Sequence, residues 1–168
     1  MNILKLELTH FGKFHLKTIT FTSGLNIVYG KNEAGKSTIH AFVRSMLFGI
    51  QDTEEGNERY SHYLPWETPH DFCGRMWIKK DNKVYRIERN FLRPQPTVRV
   101  FDDETGESLQ PAKQHLRQIL SGLTETSYLN TICIEQLKSA TDPQLAKELE
   151  DMAVNASPVS YTHLTLPT

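Results

Sequence analysis

Apolar and polar residues alternate at the start of the chain with the period of a half-buried β-strand. Apolar side chains occupy every second position of residues 4–8 and again of residues 19–21, with a turn signal at residues 11–14 between them. Residues 25–29, Leu-Asn-Ile-Val-Tyr, form a short apolar run of the kind that a buried central strand shows. The first thirty residues therefore predict two paired strands followed by a strand inside the sheet.

The next apolar pattern has the period of an α-helix. Four residues spaced i, i+3, i+4 and i+7 share one helical face: Ile39, Phe42, Val43 and Met46. Gly49 is a suitable stop for this helix, because glycine readily adopts the conformation that ends one. Residues 51–72 are polar and contain two prolines, which predicts a long loop.

The rest of the chain predicts an antiparallel arm and further short elements. We assign strands to residues 74–80, 83–89, 97–101 and 131–134, and helices to the segments beginning at Pro111 and Pro143. We expect residues 1–153 to form one α/β lobe. Residues 156–168 contain no Asp, Glu, Lys or Arg, so we expect residues 154–168 to be a disordered tail of non-native origin.

Composition narrows the class of protein. The 168 residues are 38% hydrophobic, and no apolar run approaches the roughly 18 residues that a membrane helix needs, so we expect no membrane partner. The two cysteines do not make a disulfide framework, which favours a reducing cytoplasm. No group of histidines and cysteines has the spacing of a transition-metal site.

One motif carries the chemistry. Gly30-Lys-Asn-Glu-Ala-Gly-Lys-Ser37 matches the P-loop pattern G-x-x-x-x-G-K-[ST], and it lies between the short apolar run and the helix. Gly30 and Gly35 allow the backbone to approach phosphate, and the amides of the loop form an anion nest. Lys36 is expected to reach the β- and γ-phosphates of ATP, and Ser37 to bind Mg²⁺.

The order of motifs resembles the N-terminal lobe of the SMC-like ABC-type ATPases of the AAA superfamily. That group includes the double-strand-break-repair ATPase and its bacterial SbcC- and YhaN-like relatives. The resemblance covers about residues 1–153 and rests on three stretches: the opening strand and turn at 6–14, the segment Gly24–Thr38, and the strand arm at 74–91. It implies an incomplete ABC-type head, with a mixed sheet packed on the P-loop helix and antiparallel strands at the N-terminus and in the arm.

The resemblance also implies roles for individual residues. Nucleotide binding falls on residues that match the family's core and its first turn: Lys13, Gly30, Asn32, Glu33, Ala34, Gly35, Lys36, Ser37 and Thr38. Gln136 matches the Q-loop glutamine, which ligates Mg²⁺ and holds the attacking water, so Lys36 and Gln136 are the candidate catalytic residues. The Walker B aspartate-glutamate pair and the L-S-G-G-Q signature are missing. We therefore expect this chain to be the front part of a longer ATPase and to be inactive in hydrolysis alone.

Charge adds a candidate surface for an anionic partner. Residues 1–100 carry 15 Lys and Arg against 10 Asp and Glu, whereas residues 101–168 carry 4 against 10. The excess is densest at residues 75–99, which suggests either a DNA contact or a solvated strand face. The resemblance further implies a head-to-head homodimer and a partner nuclease.

Three functions remain open at this stage. The first is ATP binding and hydrolysis coupled to DNA processing or repair. The second is a nucleotide-binding module without turnover. The third, a small P-loop kinase, lacks a recognisable acceptor site and lid.

Overall fold

The structure is a computed structural model, and it describes residues 1–133 of the chain. The elements are β1 (Asn2–Phe11), β2 (Phe14–Thr20), α1 (Lys36–Phe48), α2 (Glu54–Tyr63), β3 (Cys73–Lys80), β4 (Lys83–Asn90), β5 (Thr97–Asp102), α3 (Ala112–Ile119) and α4 (Glu125–Thr131). They fall into two units, Met1–Gly122 and Leu123–Thr168, which are described separately. The predicted last helix, Gln136 and the predicted tail lie outside the described residues.

The five strands form one antiparallel sheet in the order β2-β1-β3-β4-β5. The β3–β4 arm turns at Asp81 and Asn82, whose positive φ angles of 49° and 65° suit the tight turn of a two-residue hairpin. The predicted strands of the first hairpin and of the arm are thus confirmed. In the described residues the sheet is antiparallel throughout rather than mixed, because the expected central strand is not part of it.

Alternation along the strands separates a core face from an open face. Leu6 and Leu8 of β1 and Met76 and Ile78 of β3 are completely buried, whereas their neighbours along each strand are partly exposed. Helix α1 packs on this core face, and it approaches β3 so closely that a Cβ at Gly74 would collide with the ring of Phe42. Helix α3 contacts β5, the edge strand at the opposite end of the sheet from β2.

An aromatic cluster joins the sheet to the helices at the end of β1. The ring of Phe11, completely buried, lies 5.1–5.6 Å between centroids from four other rings: Phe42, Tyr63, Phe72 and Phe91. Aromatic pairs at these separations add stabilisation beyond the area that they bury. Because Phe11 immediately precedes the β1–β2 turn, this cluster also fixes where that turn lies.

Arg89 connects β4 to the end of the P-loop helix. Its Nε donates to the carbonyl of Met46 at 2.7 Å, and its Nη2 donates to the carbonyl of Leu47 at 3.2 Å. Burial of the guanidinium lowers the pKa of Arg89 to about 10, so the group is still charged at neutral pH. A cation at a helix C-terminus satisfies carbonyls that have no partner within the helix.

We expect Arg89→Met to lower the free energy of unfolding by about 2–4 kcal/mol, because two carbonyls lose charge-assisted hydrogen bonds. Urea unfolding followed by circular dichroism measures the loss. Arg99→Met is the matched control, since Arg99 is on β5 with a side chain that is 64% exposed. Equal stability of the two variants would contradict the capping role.

The predicted central strand at residues 25–29 is wrong for the described residues. Leu25, Ile27 and Tyr29 are 87%, 74% and 90% exposed, and the segment has no strand partner within residues 1–133. The side-chain amide of Asn26 instead bonds both the N–H and the carbonyl of Thr22 at 2.9 Å, closing a turn. A strand inside a sheet needs neighbours on both sides, and neither is supplied by this part of the chain.

Two other expectations are also corrected. The predicted loop at 51–72 contains α2, whose N-terminus is capped by Thr53: its Oγ1 accepts from the N–H of Gly56 at 3.0 Å. The predicted strand at 131–134 is wrong for its described part, because Thr131 ends α4 and its hydroxyl donates to the carbonyl of Ser127. The cap of α4 is Thr124, which accepts from the N–H of Ser127.

Candidate functional site

The P-loop residues lead directly into α1. The helix begins at Lys36, and Gly35 before it has a φ of 97°, a conformation that favours glycine. No side chain caps this N-terminus, and the first turn of the helix has no acidic residue. The leading amides of a thirteen-residue helix are therefore open to an anion, and its dipole favours negative charge there.

The side chain of Lys36 bonds the first two residues of the loop. Its ammonium donates to the carbonyl oxygens of Gly30 and Lys31, each at 2.8 Å. These bonds join both residues to one cation. The loop is also tight at Gly30, where a Cβ would come within 2.9 Å of the Cβ of Ala34. The donors gathered here, an ammonium and helix amides, are the groups that hold phosphate oxygens, so the residues fit the triphosphate that the motif implies.

The turn between β1 and β2 lies against this loop. The ammonium of Lys13 donates to the carbonyl of Glu33, and a Cβ at Gly35 would lie 2.5 Å from Cζ of Phe14 and 3.1 Å from Cε of Lys13. Glycine at position 35 is therefore required both by its φ angle and by the close approach of the turn. The structure places Lys13 beside the P-loop, where the resemblance expects it.

The remaining predicted site residues lie on the surface of the loop, at the start of α1 or outside the described residues. Asn32, Glu33, Ala34 and Ser37 are exposed at the surface of the loop and the start of α1. Thr38 faces the β1–β2 turn, since its Cγ2 would be 3.0 Å from a Cβ at Gly12. Gln136 is outside the described residues, so its predicted meeting with Ser37 at Mg²⁺ stays a prediction. Within residues 1–133 no three His, Cys, Asp or Glu side chains are grouped to hold a metal ion.

Sequence reasoning missed the part of the site that α2 supplies. The N–H of Gly12 donates to the carbonyl of Tyr63, the last residue of α2, at 2.7 Å. The signal for this helix was present in Thr53 followed by Glu54 and Glu55, a capping residue before an acidic first turn. The two prolines that follow at 65 and 69 obscured it.

The basic residues of 75–99 do not form a single surface. Arg75, Lys79 and Arg86 lie on the open face of the sheet with Arg99, as the alternation along β3, β4 and β5 requires. The others serve elsewhere: Arg89 caps α1, Lys80 donates to the carbonyl of Gln118 and the hydroxyl of Ser121, and Arg93 pairs with Asp52 near α2. Lys83 is exposed at the hairpin.

Acidic side chains partly neutralise the open face. Glu88, at 15% exposure, lies 3.1–3.3 Å from the guanidinium groups of Arg75, Arg86 and Arg99. Glu7 pairs with Lys5 at 2.8 Å and with Arg75 at 3.5 Å. The face therefore has a modest positive excess held in an ordered network, with Lys5 also lying 3.8 Å above the ring of Trp77.

Cys73 is not set up as a nucleophile. Burial and the negative charge of Asp71 raise the pKa of its thiol, and Arg75 offsets part of this. The thiol is therefore neutral at physiological pH, whereas a nucleophilic cysteine needs the thiolate. Within residues 1–133 Cys73 and Cys133 form no disulfide, and no helix there combines the length and apolarity needed to cross a membrane.

One family model and two known proteins match parts of this chain. A family model described as an AAA domain matches residues 1–141. The chain is 41% identical over 56 residues to the uncharacterized protein YhaN of Bacillus subtilis (strain 168), covering 33% of this chain and 6% of that protein. It is 27% identical over 146 residues to the DNA double-strand break repair Rad50 ATPase of Thermococcus kodakarensis, covering 81% of this chain and 15% of that protein. The matched parts are thus small fractions of both relatives.

Proposed function

Since this chain belongs to the AAA domain family and is similar to the N-terminal region of SMC-like ATPases, we propose that it binds Mg-ATP on residues 30–38. The observation that carries the proposal is the Lys36 ammonium held inside a loop that leads into an uncapped helix N-terminus. A triphosphate entering the loop replaces the two carbonyls as the partner of Lys36. The helix amides then face phosphate oxygens.

The same residues supply positioning and charge neutralisation for phosphoryl transfer. Lys36 draws charge from the β- and γ-phosphates, and the hydroxyl of Ser37 and the amide oxygen of Gln136 are proposed as ligands of Mg²⁺. When bound, that ion would supply charge neutralisation at the phosphate oxygens. Gln136 is proposed to keep the attacking water in line with the γ-phosphate.

Completing the ATPase is proposed to require a second part of the head. The apolar side chains of residues 25–29 are exposed just before the P-loop, and the chain has neither a Walker B pair nor a signature motif. An unpaired apolar segment of this kind is suited to pair with strands supplied from outside residues 1–133. A head-to-head homodimer with two bound ATP molecules is the assembly that the resemblance implies.

Phosphate release measured on the purified chain distinguishes the two open functions. We expect this chain to bind Mg-ATP with negligible turnover, because the Walker B pair and the signature motif are missing from it. Robust turnover that is lost in Lys36→Ala would contradict this expectation. A binding module that never hydrolyses ATP is the second candidate, favoured if the chain joined to strands and signature motif from a relative still shows no turnover.

DNA is the proposed partner of the open sheet face. The positive excess of that face supports this, as does the similarity to a relative that is named for DNA double-strand break repair. Such binding falls with salt, because each phosphate neutralised by Lys or Arg releases counterions. A partner nuclease also belongs to this proposal. We propose the bacterial cytoplasm as its location, which is consistent with two cysteines that form no disulfide.

We expect Lys79→Glu combined with Arg99→Glu to weaken duplex DNA binding by at least about tenfold and to reduce the slope of log K against log salt by about 2. Both side chains are exposed on the open face. Lys80→Glu is unsuitable, because Lys80 holds the end of α3. The control is Lys113→Glu combined with Arg117→Glu, the same charge change on α3. Equal loss in both double variants would show that net charge rather than the open face matters.

A further inference from the structure

Helix α2 holds the β1–β2 turn next to the P-loop helix. The N–H of Gly12 donates to the carbonyl of Tyr63 at 2.7 Å. A Cβ at Gly12 would lie 3.0 Å from Cγ2 of Thr38 on α1 and 3.5 Å from Cδ1 of Tyr63, and φ at this glycine is +56°. Gly12 is therefore close to both helices, and its positive φ together with the tight approach of Thr38 favours glycine there.

The position of Tyr63 is itself fixed by packing. Its ring stacks on Phe11 at 5.3 Å between centroids with a 22° interplanar angle. One turn earlier, Tyr60 packs edge-on against Phe72 at 5.3 Å, and the guanidinium of Arg93 lies 4.4 Å above the Tyr60 ring. Arg93 also donates to Asn57 at 2.6 Å. Helix α2 is thus anchored to the aromatic cluster and to the segment after β4 before it reaches the turn.

Lys13 is the next residue after the confined glycine, and its ammonium bonds the carbonyl of Glu33 in the P-loop. A lysine side chain has four flexible bonds, so its placement depends on where the backbone of the turn is held. Because its hydrogen bond to Tyr63 fixes Gly12, the ammonium of Lys13 already lies at the rim of the P-loop before a ligand binds. Less conformational freedom then has to be lost when it contacts a ligand.

We propose that Tyr63 is a positioning residue for the nucleotide site, which holds the β1–β2 turn so that Lys13 exchanges the carbonyl of Glu33 for a phosphate oxygen of the bound nucleoside triphosphate. This inference rests on the proposed function. It adds that α2, far along the chain from the P-loop motif, contributes to affinity through Lys13 and not through a contact of its own.

The test is a double-mutant cycle on the purified chain with Lys13→Met, Tyr63→Leu and the double variant. Isothermal titration with Mg-ATPγS gives the affinity, and urea unfolding gives the stability of each protein. We expect each single change to weaken binding by about tenfold, and the double variant also by about tenfold. Lys13→Met removes the contact with phosphate, and Tyr63→Leu removes the ring packing that fixes the turn from which Lys13 makes that contact. Tyr63→Phe keeps the ring and the backbone carbonyl and is expected to retain most of the affinity.

Outcomes separate this inference from the proposed function. Losses that multiply to about 100-fold in the double variant, or unchanged affinity in a folded Tyr63→Leu, overturn the inference while wild-type binding upholds the nucleotide site. A wild-type chain that binds no nucleotide overturns both. Hydrogen exchange of the wild-type chain tests the inference even if the variants do not fold. The Gly12 amide should exchange slowly with solvent both with and without Mg-ATPγS. Loss of this protection in the bound state would overturn the proposed positioning role of Tyr63.

Discussion

Replacing Lys36 with alanine is expected to weaken Mg-ATP binding by about 10- to 100-fold. The ammonium is the charged group at the centre of the loop, bonded to the carbonyls of Gly30 and Lys31, and a hydrogen bond to a charged group is worth about 1.5–3 kcal/mol. Isothermal titration of Mg-ATP into the purified variant measures the change. The free energy of unfolding should change by less than about 0.5 kcal/mol, because Lys36 is exposed.

Lys31→Ala is the matched control for this prediction. Lys31 is an exposed lysine of the same loop, and only its backbone carbonyl contacts Lys36. The two variants thus lose the same formal charge within the same segment. If Lys31→Ala weakened Mg-ATP binding as strongly as Lys36→Ala, affinity would depend on the net charge of the loop and not on the ammonium of Lys36.

Phe11→Ala is expected to lower the free energy of unfolding by about 3–5 kcal/mol, the largest stability effect that the structure predicts. The ring is completely buried and contacts rings from α1, α2 and the segments before β3 and after β4. Its removal leaves a cavity that four aromatic neighbours fill poorly. Urea unfolding followed by circular dichroism, with the midpoint compared at constant slope, measures the loss.

Trp66→Ala provides the comparison for Phe11→Ala. Trp66 is a larger aromatic residue but is 91% exposed, so its removal should change the free energy of unfolding by less than about 0.5 kcal/mol. Losses of similar size in both variants would contradict the central place of Phe11 in the core. A folded Phe11→Ala with wild-type stability would do the same.

Local patterns were sufficient for the elements that carry their own signals. Alternation along β1, β3 and β4, the Asp81-Asn82 turn and the period of α1 each depend on neighbouring residues, and the structure has all of these elements. The P-loop followed from spacing alone. The place of Lys13 beside that loop came from family resemblance, since nothing in the sequence relates position 13 to position 33 by pattern.

Elements that depend on distant partners could not be predicted in the same way. Residues 25–29 have the composition of a central strand, but pairing is a property of two segments, and no second segment for it lies within residues 1–133. The charges at 75–99 seemed to form one strip because sequence does not show which side of a strand an arginine is on. The pairing of Glu7 with Arg75 requires the β1–β3 register, which joins residues 68 positions apart.

Amide-resolved NMR of the chain during titration with Mg-ATP tests whether residues 30–38 bind the nucleotide. We expect saturable shifts of the amides of residues 30–38 and of Lys13, and no such shifts when MgCl₂ alone is added. Lys36→Ala should lose these shifts at the same ATP concentrations, while its other resonances are unchanged. Saturable shifts elsewhere with residues 30–38 unaffected, or no shifts in a folded chain, would contradict the assignment of this loop as the nucleotide site.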